Sequence, residues 1–315
     1  MNSTAIAASG LRKSYGDKAV LDGVDLTVDA GTIFALLGPN GAGKTTTVNV
    51  LTTLLKADGG TARVAGHDLA TETKAVRASI GVTGQFAAVD GLLTGEENLR
   101  LMADLHRLRG KDGKRVITEL LERFDLIESA RKPAASYSGG MRRKLDLAMT
   151  LVTKPGVVFL DEPTTGLDPR SRRTMWEIVR ELTTDGVTIF LTTQYLEEAD
   201  QLADRIAVLD HGHIVAEGTA DELKRRVPGS HIRLRFTAAT ELATAAQILP
   251  GATAATDDGL TLSVPGDGSS TTLRALLDLL ATHGIEAEQV SIHTPDLDDV
   301  FLALTGHATT EAEAR

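Results

Sequence analysis

From its start to about residue 226 the chain alternates short apolar runs with helical patterns. Residues 32–38 read TIFALLG, 157–163 read VVFLDEP, 187–193 read VTIFLTT and 205–218 read RIAVLDHGHIVAEG. Such runs, apolar with little alternation, predict strands covered on both faces, as in a parallel sheet flanked by helices. The stretch around 95–130 is charged with a helical pattern, which predicts a helical insert at about 90–140, ahead of the strand at 157.

At VPGSH (227–231) a Pro-Gly break predicts a domain boundary, and the pattern then changes. HIRLRF alternates like a strand, 240–249 is helical, and GLTLSV reads as a strand. Leu273, Leu276, Leu277 and Leu280 then follow helical spacing, and QVSIH closes as a strand. That order predicts a β-α-β-β-α-β unit, the ferredoxin-like split arrangement, with a last helix in DLDDVFLALTG. The expected division is therefore a larger α/β domain over 1–226, a small α+β accessory domain over 227–306 and a disordered tail over 307–315.

Composition narrows the function classes. The chain has 315 residues, no cysteine and a formal net charge of −10. Disulfides and cysteine-held metals are excluded, and the acidic balance argues against nucleic acid as the main partner, because phosphate contacts need a basic face. No signal peptide opens the chain and no apolar run reaches the ~20 residues that span a bilayer.

The chemistry starts at GPNGAGKT, residues 38–45, which follows a predicted strand and opens a predicted helix. Glycines at Gly38, Gly41 and Gly43 allow backbone N–H groups to curl around phosphate oxygens, and the helix N-terminus adds its dipole. Pro39, Asn40 and Ala42 complete the loop, Lys44 reaches the β- and γ-phosphates, Thr45 offers a hydroxyl to Mg²⁺, and Thr46 continues the helix start. This makes a nucleotide the expected ligand on a P-loop NTPase fold of the α/β class. VVFLDEP supplies the other half: Asp161 is placed to hold Mg²⁺ and Glu162 to orient or deprotonate an attacking water.

SYSGGMRRKLDLA, residues 136–148, sets Ser138, Gly139 and Gly140 at a helix start just upstream of the acidic strand. This resembles the signature of ABC-transporter ATP-binding subunits. The resemblance implies an ABC-type core whose signature caps the γ-phosphate held by a second copy, so that two chains close face to face over two ATP molecules. Further motifs follow the family's order. Tyr15 in KSYG stands where an aromatic stacks on adenine, with plain packing as the other reading. Gln85 in IGVTGQ stands at the loop that senses Mg²⁺ and touches a membrane partner, and Asp168 in TTGLDP at a loop crossing the dimer interface. Gln194 occupies the place of a usual histidine; its amide can donate to a γ-phosphate oxygen but cannot shuttle a proton. GQFAAVDGLLTGEENL, TTQYLEEADQLADRIAVLDHG and TPDLDDVFLALTG are similar to the daunorubicin-resistance branch of drug exporters.

The resemblance implies an ATPase at the cytoplasmic face of the cell membrane. A separate membrane-spanning permease would carry an amphiphilic drug, and the drug would touch that permease rather than this chain. Two alternatives stay open: a soluble ABC ATPase unconnected with transport, and an ATP-gated clamp with little turnover. His211 and His213 lack a third ligand nearby and predict no metal. The basic groups at 142–144, 170–173 and 224–226 are expected to be solvated helix faces.

Overall fold

A computed structural model describes residues 3–226, 230–254, 259–266, 269–293 and 295–306. The chain divides into two units, Met1–Ala220 and Asp221–Arg315. The Pro-Gly break at 227–229 and the tail at 307–315 lie outside the described residues.

The first unit opens with strands β1 (Thr4–Tyr15) and β2 (Lys18–Asp29), then β3 (Ile33–Leu37) and helix α1 (Lys44–Leu51). β4 (Gly59–Val64), β5 (His67–Asp68), α2 (Thr73–Ser79) and β6 (Ile80–Thr83) follow. The insert comprises α3 (Gly95–Leu105) and α4 (Gly110–Arg123), and α5 (Gly139–Thr150) leads from it to β7 (Val157–Asp161). Then come α6 (Pro169–Thr184), β8 (Thr188–Thr193), α7 (Leu196–Leu202), β9 (Arg205–Asp210) and β10 (His213–Gly218), and α8 (Ala220–Lys224) starts at this unit's last residue.

Two sheets organise these strands, an antiparallel one in the order β2-β1-β4-β5 and a six-stranded one in the order β10-β9-β3-β8-β7-β6. The apolar runs form the centre of the second sheet, where every residue of β3, β7 and β8 is buried. These strands run parallel, in a register that sets Phe34 beside Phe190 and Phe190 beside Phe159. Ring centroids lie 5.5 Å and 5.4 Å apart along this ladder. Each fully buried phenylalanine stabilises the fold by roughly 1.5–3 kcal/mol, and the paired rings add about 0.5–1.5 kcal/mol. The same register aligns the strand ends, pairing Leu37 with Thr193 and Asp161 with Thr192. The β1–β2 sheet was not marked by any long apolar run, because its strands alternate and are interrupted by register shifts.

Helix ends follow local chemistry. Thr94 caps α3 in a reciprocal box with Glu97, accepting from its N–H at 3.2 Å and returning its own at 2.8 Å. Ser138 caps α5, and Asp168 with Pro169 behind it starts α6.

The second unit contains β11 (His231–Arg235), α9 (Ala239–Ile248), β12 (Thr253–Ala254), β13 (Thr261–Pro265), α10 (Ser270–Thr282), β14 (Gln289–His293) and α11 (Leu297–Thr305). Its sheet is antiparallel in the order β12-β13-β11-β14, the order of the ferredoxin-like split unit. Ile232, Leu234, Leu262, Val264, Leu276 and Leu280 belong to its core.

Candidate active site

The site forms where β3, β8 and β7 end side by side, at the carboxyl edge of a parallel sheet. The chain leaves β3 through the glycine loop. A Cβ on Gly38 would lie 2.3 Å from the Leu209 carbonyl oxygen, so no larger residue fits that turn. Gly43 has φ 112° and is pressed against Val20 and Leu21 of β2, and it starts α1. Gly212, in the turn between β9 and β10, donates its N–H to Ala42 O at 3.1 Å and braces the loop from outside.

Lys44 is only 4% exposed. Its ammonium donates to Gly38 O at 2.8 Å and Pro39 O at 3.2 Å, and faces Glu162 Oε1 at 3.4 Å. Burial pulls this lysine below its ordinary range, while Glu162 and then Asp161 hold its proton on. Thr45 Oγ1 donates to Asp161 Oδ1 at 3.3 Å, and Thr192 Oγ1 donates to the same oxygen at 2.5 Å. Hydroxyl and carboxylate oxygens thus meet beside the glycine loop. This donor set fits Mg²⁺, which takes one or two carboxylates and completes its shell from water and substrate phosphates.

Glu162, 6% exposed, has φ 48°, a left-handed backbone rare for a residue with a side chain. It is held there by bonds from its N–H to Thr192 O and Oγ1, both at 3.1 Å. Its Oε2 accepts from Thr165 Oγ1 at 3.2 Å and faces Gln85 Nε2 at 3.5 Å.

The remaining predicted positions divide into those near this cluster and those elsewhere. Gln194 follows β8 in a bend, half-buried, with the strand end anchored by a bond from Gly38 N to Thr193 O. Tyr15 is 53% exposed at the end of β1, its ring 5.9 Å from the Lys13 ammonium. Ser138, Gly139 and Gly140 do not join the phosphate loop. Ser138 Oγ accepts from Met141 N at 3.2 Å, and a Cβ on Gly140 would meet Ser171 Oγ at 2.7 Å. Ser171 in turn bonds Asp168 Oδ2 at 2.6 Å, and these bonds hold Asp168 below the usual carboxylate range. The signature and the Asp168 loop therefore form a separate cluster. Tyr137, just before the signature serine, is buried and donates its hydroxyl to Ser129 O at 2.7 Å.

The expectation of solvated faces holds for Arg142, Arg170 and Arg173, which are exposed, and is corrected at Arg143. Arg143 is 7% exposed and paired with Asp146, because tertiary contacts with Gly84 and residues 161–163 cover that side of α5. Arg172 is partly covered, its guanidinium 5.0 Å from the Tyr195 ring centroid. Charge-run reasoning misses Arg143, because the groups that cover it come from distant parts of the chain.

Glu198 was also missed. It lies on α7, four residues after Gln194, fully buried, with Oε1 accepting from Trp176 Nε1 at 3.1 Å. Burial raises its carboxyl above the ordinary range, partly opposed by Thr193, Thr164, Trp176 and Arg172. The folded chain therefore keeps a proton that the unfolded chain releases, so this stabilisation is present at low pH and lost as pH rises. Glu198→Gln is expected to gain in unfolding free energy relative to wild type as pH rises from about 4 to 8. Urea unfolding of both proteins at the two pH values checks this, and a constant difference between them would count against a proton on Glu198.

A family profile described as ABC transporter matches residues 21–165. The daunorubicin resistance ATP-binding protein DrrA3 of Streptomyces coeruleorubidus is 52% identical over 316 residues, covering 100% of both chains. The daunorubicin/doxorubicin resistance ATP-binding protein DrrA of Streptomyces peucetius is 49% identical, covering 96% of this chain and 93% of that one. Among solved structures, an ATP-binding subunit of an ABC transporter matches with TM-score 0.64 at 30% identity, covering 70% of this chain and 92% of that one. An ATP-binding cassette in its ADP conformation matches with TM-score 0.63 at 26% identity, covering 70% and 92%. Similar end to end to proteins of this kind and folded like their solved cassettes, the chain belongs to the ATP-binding subunits of ABC transporters and is an ATPase.

Proposed function

We propose that this chain hydrolyses ATP to power export of an amphiphilic antibiotic through a separate membrane-spanning subunit. The convergence of Lys44, Thr45, Asp161 and Glu162 at adjacent strand ends carries the reading. Lys44 and the loop N–H groups bind the phosphates; Thr45, Asp161 and Gln85 hold Mg²⁺. Bound there, Mg²⁺ supplies neutralisation of charge on the phosphates. Glu162 orients the attacking water and takes its proton, and Gln194 donates a hydrogen bond to the γ-phosphate. Tyr15 stacks on the base.

The signature cluster supports a homodimer. Ser138 and Gly140 belong with Asp168 rather than with the chain's own phosphate loop, so in this reading they act on the nucleotide of a second copy. The membrane partner is supported by the segment after Gln85, where Phe86 is 87% and Leu92 90% exposed. Among the described residues no helix is long and apolar enough to cross a membrane; in this reading the permease provides the attachment. The relatives' names supply the antibiotic class. The small second unit serves as an accessory domain.

The test is co-purification from detergent-solubilised membranes of the native host. An integral membrane protein is expected with the full-length chain, and Phe86→Asp is expected to lose it while binding ATP as wild type does. A wild-type chain that brings down no membrane protein would sink the transport reading in favour of a soluble ATPase.

A further inference from the structure

Gln85 and Glu162 reach the site from distant parts of the chain, yet one side chain holds the backbone on which both stand. Arg143 Nη1 donates to Gly84 O at 2.7 Å and Nε to Pro163 O at 2.9 Å. Nη2 donates to Asp161 O at 3.1 Å and Glu162 O at 3.3 Å. Asp146, 3% exposed, faces Nη1 at 3.5 Å and accepts the Ala88 N–H at 2.9 Å. The pair therefore grips the Gln85 loop on both sides, at Gly84 and Ala88, and the Glu162 turn along three successive carbonyls.

A buried ion pair is a poor source of stability, because desolvation offsets the attraction, and an apolar pair of similar volume secures a helix as well. What apolar side chains cannot do is bind four carbonyls in fixed directions, as a rigid guanidinium does. Glu162 is the residue that needs such a hold, since its left-handed backbone persists only when over-determined by its surroundings. Thr192 takes its N–H and Arg143 its carbonyl.

We propose that Arg143, with Asp146 as counter-ion, is a positioning residue that fixes Glu162 and Gln85 relative to each other and ties both to the helix opened by Ser138. The inference rests on the assignment of Glu162 and Gln85 to the site. A shift of the Ser138 end of α5 then reaches both residues without passing through the phosphate loop.

The test uses the full-length chain, with ATP affinity from a fluorescent nucleotide, steady-state kcat and KM, and thermal midpoint. Arg143→Gln is expected to lower kcat about 10- to 100-fold, the effect of a small misplacement of reacting groups. KM and ATP affinity are expected to stay within about threefold of wild type, because the glycine loop is untouched. Arg143→Met with Asp146→Leu replaces the pair by apolar groups of similar volume. It is expected to regain the wild-type midpoint while kcat stays low. The double variant also decides the matter if Arg143→Gln fails to fold. Wild-type kcat in either variant overturns the proposal, as does loss of ATP binding together with kcat. The underlying assignment fails separately, if Glu162→Gln hydrolyses ATP normally with Arg143 intact.

Discussion

Glu162→Gln is expected to lower ATP turnover by about 10²- to 10⁴-fold, the usual contribution of a positioned general base. ATP binding is expected to persist. The amide keeps the shape and the hydrogen-bonding reach of the carboxylate, and Lys44 still has Gly38 O and Pro39 O as partners. Removing one negative charge beside the bound phosphates also favours the nucleotide. The variant should therefore accumulate with ATP bound, and if two copies close over two nucleotides it should elute as a dimer in ATP and Mg²⁺. Turnover and size-exclusion chromatography read the two effects. A kcat equal to wild type would remove Glu162 from the chemistry.

Lys44→Ala is expected to weaken ATP binding by about 10- to 150-fold, the equivalent of a charge-assisted hydrogen bond of roughly 1.5–3 kcal/mol. It has a second effect that the burial of the site predicts. Lys44 and Glu162 are 4% and 6% exposed and face each other at 3.4 Å, so removing the cation leaves a buried carboxylate uncompensated. Breaking such a pair lowers stability by about 3–5 kcal/mol. Adding Glu162→Gln to Lys44→Ala should restore most of that stability and none of the affinity. Isothermal titration and denaturant unfolding separate the two. If the double variant is no more stable than Lys44→Ala, the ion pair contributes little to the fold.

Much of this site was legible before any coordinate, because local chemistry dictates it. A loop that cradles phosphates needs glycines at fixed places, and a buried strand ending in two acids has few other uses beside such a loop. The placement of β8 between β3 and β7 explains why TIFLTTQ carries threonines at its end: Thr192 lies against Asp161 and bonds it. Arg143 and Glu198 were not legible, because burial of a charge is decided by what packs on it. Arg143 is covered by Gly84 and by residues 161–163, and Glu198 by Trp176. Nothing in RRK or LEEAD says which charge turns inward; Glu197 is exposed and its neighbour Glu198 is not. β12, only two residues long, left no periodic trace.

The bond between Trp176 and Glu198 has a practical consequence. The chain contains a single tryptophan, and its indole N–H ends on a carboxyl of the helix that follows Gln194. Intrinsic fluorescence excited at the red edge of the protein band therefore reports one place in the molecule, against the helix that follows Gln194. The wild-type chain carries its own optical label there, and nucleotide-driven rearrangement can be followed without attaching a dye.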